Sequence, residues 1–499
     1  MFLSHLRAGT GALAVETREE SRLLLELLTE LQGMARQVAI VAAPNGPVRL
    51  ARLVNGAVVR DNEPLIRPVQ GQMALAAAYE WCAAGPGRVL VVLDWHVLAN
   101  APGHWRLLIE SLAGIRQPKG CSVDDPPSLV VFVAPSVHLE PHNPLKGQLP
   151  VLSFDPPSRD ALRAVAQAIH ELPPNGEGEA VVDALCGLSA DTAEQVCAET
   201  IARGDGWDAE SLRAARRQSI KEGGLELWAT TDKLGGLGGF QGYIHDEVMP
   251  WIRDPSLSVR RILMAGVPGV GKSYAARWLA HKLKCECARI SVPSLKAGIV
   301  GASEANLRRC LRTIDAMAKH SPLVVVVDEI DTIARDGLDG GTSSGMFAEL
   351  LTWLQESQSQ AVVLGTLNCL DKLDAALESR FQVRFFVDLP TGGERRSVAG
   401  IHFGRLGCTG VDRAANVVAA LTDGYSSREI AEHICPSVAR LSNRKCDDDT
   451  IALVVGRTVA SSRTQGAQLE RMRNAASTLR RANDENESAD PSPTRRVMS

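Results

Sequence analysis

Gly266-Val267-Pro268-Gly269-Val270-Gly271-Lys272-Ser273 fits the pattern G-x-x-x-x-G-K-[ST], and no other stretch constrains the fold as much. An apolar run, Arg261–Ala265, precedes it, and a helix-patterned segment, Tyr274–Lys284, follows. Gly266, Gly269 and Gly271 let the backbone curl so that its N–H groups point inward around a phosphate. The N-terminus of the following helix adds partial positive charge at the same place. Lys272 is placed to reach β- and γ-phosphates, and Ser273 offers a hydroxyl to Mg²⁺. Val267, Pro268, Val270 and Tyr274 complete the stretch assigned to the nucleotide. Strand and helix alternate from here to Pro390, which implies a parallel α/β sheet.

A second signal is Leu323-Val324-Val325-Val326-Val327-Asp328-Glu329-Ile330-Asp331. The apolar run reads as a central parallel strand, buried on both faces. Its end delivers two carboxylates, Asp328 to hold Mg²⁺ and Glu329 to orient and deprotonate a water. Strands ending in acids are common. The position of this one, roughly fifty residues after the phosphate loop, is what gives it meaning. A third strand, Ala361–Leu367, ends in Asn368, whose amide is placed to align the water between Glu329 and the γ-phosphate.

These motifs, in this order, resemble the AAA family of ring-forming ATPases. Gly235-Gly236 resembles the family's Gly-Gly before the loop, which contacts adenine. Gly301-Ala302-Ser303-Glu304-Ala305-Asn306-Leu307-Arg308 resembles its G-E-S-E-S-N-L-R stretch, and Tyr425-Ser426-Ser427-Arg428-Glu429-Ile430 its F-S-G-A-E-I motif. This resemblance covers about 231–445. Gly340-Gly341-Thr342, Leu351–Glu356 and Phe385–Pro390 further resemble the AAA proteins carried in cyanobacterial and plastid genomes under a hypothetical-chloroplast-reading-frame name. Those have a degenerate, non-nucleotide-binding ATPase-like half in front. The resemblance implies ATP and Mg²⁺ as cofactors, a hexamer-like ring of identical subunits, and a protein partner to be remodelled.

Three departures stand out. The family's R-x-G-R-F-D segment, which sends arginine fingers to a neighbour, reads Leu377-Glu378-Ser379-Arg380-Phe381-Gln382 here, so only Arg380 has a match. Arg428 stands where this branch usually has Ala, and other branches place a γ-phosphate-sensing arginine on the same helix. The pore-loop position reads Gly298-Ile299-Val300-Gly301, aliphatic where many unfoldases carry an aromatic residue. Aliphatic side chains offer a threaded chain less contact area.

The remaining sequence sets the organisation. A chain of 499 residues calls for roughly two to four domains. The expected divisions are a degenerate α/β ATPase-like domain with a helical appendage over 1–225, an AAA large domain over 226–390, a helical lid over 391–460, and a helix end with a disordered tail over 461–499. In the front part an amphipathic helix is expected over 16–34, and strands at Val38–Ala43, Val89–Asp94 and Leu129–Val133, with helices between them. The first of these strands runs into Ala42-Ala43-Pro44-Asn45-Gly46-Pro47, which lacks a Gly-Lys-Ser/Thr ending. The second ends Leu93-Asp94-Trp95-His96, with Trp where a catalytic acid is wanted. Asp94 and His96 read as a solvated strand end. From about Thr478 the chain is polar and Pro/Ser-containing and is expected to be disordered.

A net charge of -4 and 4% aromatic residues disfavour a nucleic-acid surface or a base-stacking platform. The eleven cysteines are scattered, and Cys285-x-Cys287 has no second pair at zinc-ligand spacing, so reduced thiols are expected. The start lacks a secretory apolar core and no run approaches the ~20 residues of a membrane helix, so a cytoplasmic protein is the expectation. Two other classes stay open beside the remodelling ATPase: a nucleotide-switched scaffold with slow turnover, and a DNA-associated motor.

Overall fold

The chain's apolar runs of five to seven residues are too short for buried helices, and in the computed structural model they form the centres of two sheets. The structure describes all residues except 1, 33–36, 44–45, 67–71, 118–125, 136, 138, 141, 175, 205, 255–256, 292–294, 296–301, 320–321, 331–341, 371–374 and 485–499. The expected pore-loop residues Ile299, Val300 and Gly301 lie outside the described residues. The chain divides into two compact units, 1–212 and 213–499.

The first unit contains β1 (Ala12–Glu16), β2 (Gln37–Ala42), β3 (Arg49–Val54), β4 (Ala57–Arg60), β5 (Arg88–Leu93), β6 (Leu129–Ala134) and β7 (Val151–Ser153). They lie in the order β4-β3-β2-β5-β6-β1-β7. All pairings from β2 to β7 are parallel, while β3 and β4 add an antiparallel hairpin at one edge. Strand β1 was not expected, because the stretch up to residue 16 carries only five strand residues next to a strong helical pattern. All five are buried between two neighbours, which is why so short a run suffices. The hairpin was also not expected, although Asn55-Gly56 between two β-rich runs is the sequence signal for it. Both residues take positive φ, +52° and +78°, as a two-residue hairpin turn requires.

The second unit contains β8 (Leu225–Trp228), β9 (Arg261–Gly266), β10 (Glu286–Ile290), β11 (Leu323–Val327), β12 (Ala361–Leu367), β13 (Val383–Val387) and β14 (Arg480–Arg481). The order is β14-β13-β9-β12-β11-β10-β8, with only β8 antiparallel. Every residue of β11 and β12 is buried. Counting only the five successive parallel strands in chain order, both units read 5-1-4-3-2 across the sheet. The shared plan that alternation alone could only suggest is thus a shared strand order.

A helix starts at Gly238 and after Tyr243 widens into a π-type turn over Ile244–Val248. After β13 the chain is helical. Thr391 and Glu394 form a reciprocal capping box at the start of helix Gly392–Arg405. That helix shares a separate apolar core with Val411–Leu421, Cys435–Leu441 and Asp448–Gly456, built on Phe403, Val418, Ile434 and Ile451. The expected disorder from Thr478 is corrected for residues 479–484. Arg480 and Arg481 pair with Phe385 and Phe386 as the sheet's edge strand, and Ala482 is fully buried. Backbone pairing to a preformed edge is indifferent to side-chain polarity, so composition misreads this segment.

Candidate nucleotide site

In the parallel sheet of the second unit, the ends of β9, β11 and β12 fall side by side, with Leu367 opposite Ala265 and Val327 opposite Gly365. Side chains just beyond these ends therefore converge, as they do at the carboxyl edge of parallel sheets generally.

The phosphate-loop stretch leaves β9 and enters helix Lys272–Lys282, with Gly271 as N-cap. Gly269 and Gly271 have φ of +86° and +102°, values that side chains disfavour. Packing makes a second demand for glycine. A Cβ on Gly266 would strike the Val387 carbonyl, and one on Gly269 would lie 3.0 Å from Arg428 Cβ. Lys272 is only 7% exposed. Its Nζ donates to the carbonyls of Gly266 (2.5 Å) and Val267 (3.0 Å) and to Asn368 Oδ1 (2.9 Å).

The carboxylates join this network. Ser273 Oγ donates to Asp328 Oδ1 at 3.2 Å, and Thr366 Oγ1 donates to the same oxygen at 2.6 Å. Thr366 Oγ1 in turn accepts from the Glu329 backbone N–H at 3.0 Å. Asn368 Nδ2 donates to Glu329 Oε1 at 3.2 Å, so Asn368 bridges Lys272 and Glu329 through its two amide atoms. Glu329 has φ +50°, a left-handed conformation costing about 1–2 kcal/mol for a residue with a side chain. Two residues of this network were not anticipated. Thr366 is legible in retrospect, since the two-residue strand period puts it on the face of Asn368. Arg289 had no sequence signal. From β10 its guanidinium lies 3.5 Å from Asp328 Oδ2 and 3.5 Å from Glu226 Oε2, and 5.3 Å from the Trp228 ring.

The donor set fits Mg²⁺. Ser273 and Asp328 bring two hard oxygens to one point, and Mg²⁺ ordinarily completes its shell with phosphate and water. Among the described residues no group of three or more His, Cys, Asp or Glu forms an all-protein metal cage. Cys285-x-Cys287 is not one either: burial pushes both thiols up to about 12, away from the thiolate a metal would need.

Loop and acids open into a cleft of about 660 Å³. Its phosphate end is lined by Pro268 to Tyr274, Asp328, Glu329 and Asn368. Its far end is lined by Leu227, Leu234, Gly235, Leu237, Val398, Ile401 and His402. The size and the apolar far end suit a nucleotide with its base inserted. Gly235 lines the cleft. Gly236 does not line it and packs on Glu394 instead, where a Cβ would come within 2.5 Å of Cγ. Tyr274 OH lies 3.2 Å from Thr231 Oγ1, and the ring is flanked by the guanidinium groups of Arg277 and Arg405. Burial, then Arg405, lowers the pKa of His402, so it faces the cleft as neutral imidazole at neutral pH. Arg428 lines the cleft, its backbone N–H donating to the Gly269 carbonyl at 2.9 Å. Its side chain is 60% exposed, in a 3.8 Å pair with Glu432. Arg380 does not line the cleft. It follows the short helix Ala375–Glu378, and its Nη1 donates to Ser379 Oγ.

The first unit has a different chemistry at the matching point. Its first parallel strand is β1, so a phosphate loop would have to begin at Thr17, rather than after Ala42 as the sequence suggested. Only Thr17, Arg18 and Glu19 separate β1 from helix Glu20–Glu30. The carboxylates of Glu16 and Glu19, 7% and 8% exposed, stand there and would repel phosphate. At the end of β5, Trp95 is fully buried and stacks on Phe132 at 4.5 Å, a core contact where β11 presents Glu329.

Residues 262–389 match the family described as ATPase family associated with various cellular activities (AAA). The chain is 27% identical over 326 residues to an uncharacterized AAA domain-containing protein ycf46 of Trieres chinensis, covering 60% of this chain and 64% of that protein. It is 30% identical to ATPase family gene 2 protein homolog B of Bos taurus, over 34% of this chain and 23% of that one. The match thus spans less than two thirds of these relatives' lengths. A solved structure titled FIGL-1 AAA domain has a TM-score of 0.43 at 21% identity, covering 53% of this chain and 94% of that one. The stretch that matches the AAA family of ATPases, 262–389, is the one that holds the glycine loop and the strand-end acids.

Proposed function

We propose that this chain binds ATP in the cleft of its second unit and hydrolyses it to ADP and phosphate, using the energy to remodel a protein partner. The observation carrying the reading is the linked set Lys272–Asn368–Glu329 and Ser273–Asp328–Thr366, which gathers a cation, a base, its orienting amide and two metal-suited oxygens beside one glycine loop. Bound Mg²⁺, held by Ser273 and Asp328, would supply charge neutralisation at the phosphates. Lys272 and the loop N–H groups hold the β- and γ-phosphates. Glu329 takes a proton from the attacking water, and Asn368 fixes both that water and the Glu329 carboxylate. Gly235 and the apolar far end receive adenine, with Gly236 shaping that loop and Tyr274 at its wall. Arg428 senses the γ-phosphate from the helical part.

Arg380 completes a neighbour's site in this reading, which makes the working form a homo-oligomeric ring such as a hexamer. Its absence from the cleft of its own chain supports a role in trans. Of the division expected over 1–225, the first unit, 1–212, serves as a degenerate ATPase-like domain, residues 213–225 go with the large domain, whose sheet takes Leu225 into β8, and 391–460 serve as a lid. Nucleic acid is disfavoured as a partner by the charge balance. Among the described residues no helix is long and apolar enough to cross a membrane. A nucleotide-switched scaffold with slow turnover is the second reading. It is favoured by the single arginine at the finger segment and by the acid-filled first unit.

The test is steady-state ATPase against protein concentration for wild type, Glu329→Gln and Arg380→Ala. Turnover per subunit that rises with concentration, is abolished by Glu329→Gln and falls roughly 10²-fold or more in Arg380→Ala is expected. ATP binding with negligible turnover at every concentration would sink the motor and leave the scaffold.

A further inference from the structure

The C-terminal segment 466–484 makes polar contacts with the nucleotide site at both of its ends. Near its start, Gln468 Nε2 donates to the backbone carbonyl of Asn368 at 2.9 Å. In the middle, Arg473 forms a forked ion pair with Asp388, with Nε and Nη2 each 2.9 Å from a carboxylate oxygen. At its end the chain becomes β14 and delivers Asn483 and Asp484 to Glu394. This carboxylate is 1% exposed, and four donors satisfy it. Leu237 N–H (2.7 Å) and Asp484 N–H (3.0 Å) reach Oε1. Thr391 N–H (2.8 Å) and Asn483 Nδ2 (2.9 Å) reach Oε2. The Asp484 carboxylate also accepts the Gly238 N–H.

The segment held in this way is Gly235–Gly238, whose Gly235 and Leu237 wall the far end of the cleft. Leu237 itself has φ +60°, a left-handed conformation disfavoured for a residue with a side chain. The hydrogen bonds to its own N–H and to that of Gly238 hold it there. Without the two acceptors the loop would relax, and the wall at the base end of the cleft would move while the phosphate end stayed intact.

We propose that residues 466–484 act as a strap that sets nucleotide affinity, with Glu394, Asn483 and Asp484 as positioning residues for the base-contacting loop. The inference rests on the ATP-binding reading above. It adds that a segment whose end, Asp484, lies 246 residues from Gly238 in sequence controls ATP affinity without touching the phosphates. Burial and the neighbouring Glu394 raise the pKa of the Asp484 carboxyl. A neutral acceptor at this position is therefore tolerated, which makes Asn a suitable rescue residue.

The test uses the full chain and measures Kd for a fluorescent ATP analogue, KM and kcat for ATP, and thermal unfolding without nucleotide. Asp484→Ala and Asn483→Ala are expected to raise Kd and KM about ten-fold with kcat within roughly two-fold, the pattern of lost uniform binding. Asp484→Asn keeps the acceptor for Gly238 and should return to within about three-fold of wild type. Arg413→Ala, which removes an exposed ion pair among the lid helices, serves as the control and should change nothing. Alanine variants that unfold earlier yet bind the analogue as wild type does would overturn the strap and leave the ATP site standing. A wild type that binds no analogue, or binds it unchanged after Lys272→Ala, would overturn the ATP reading and the strap with it.

Discussion

Gly269→Ala and Gly271→Ala separate two reasons for glycine in the phosphate loop. Both positions have φ well beyond the left-handed well, +86° and +102°, so each alanine should cost about 1–2 kcal/mol in backbone strain. The surroundings differ. A Cβ at Gly271 meets nothing within 4 Å, whereas one at Gly269 lies 3.0 Å from Arg428 Cβ and 3.2 Å from Ser426 Oγ. Relieving that contact moves the Ser426–Arg428 segment away and loosens the 2.9 Å bond from Arg428 N–H to the Gly269 carbonyl, a further loss of about 1 kcal/mol. Gly269→Ala should therefore destabilise the unit by about 2–3 kcal/mol, and Gly271→Ala by about 1–2 kcal/mol. In differential scanning without nucleotide, Tm should fall by roughly 4–10 °C for Gly269→Ala and by about half as much for Gly271→Ala. Equal shifts for the two variants would refute the claim that the loop is packed against the Arg428 segment. No shift in either would refute the strained backbone itself.

Two other perturbations read the same network. Asn368→Ala removes both the acceptor for Lys272 and the donor to Glu329; kcat should fall roughly 10–100-fold with ATP affinity nearly kept, and a loss of affinity alone would contradict the bridging role. Arg289→Met removes the cation 3.5 Å from Asp328; the Mg²⁺ concentration for half-maximal turnover should drop about three-fold or more, and an unchanged Mg²⁺ dependence would show that Arg289 does not compete for that carboxylate.

Legibility followed locality. The glycine loop, the acids after the apolar strand Leu323–Val327 and the strand-end Asn were readable because each sits within a few residues of the strand that presents it, and short apolar runs identify such strands. Arg289 and the long-range contacts of Glu394 were not readable, because those partners come from elements far away in the chain; only the capping box of Glu394 with Thr391 is local. Strand β1 was passed over because five residues of ordinary composition become a central strand only when two neighbours bury them. That omission displaced the comparison of the front half by one strand. The true counterpart of the phosphate loop is Thr17–Glu19, and it carries acid where the second unit carries glycine.

By itself, the sequence determined which residues are available for the proposed chemistry. A glycine turn before a helix, a hydroxyl and carboxylate suited to a metal, and a strand-end acid are short-range patterns whose geometry the backbone enforces locally. The tertiary structure alone decided which groups complete that chemistry. Thr366 hydrogen-bonds Asp328, Arg289 lies beside it, and a polar C-terminal stretch becomes the seventh strand of the sheet and clamps the loop at the base end of the cleft. Those contacts depend on strand order and sheet edges, which are set by the burial of both sheet faces at once and leave no periodic trace in the chain.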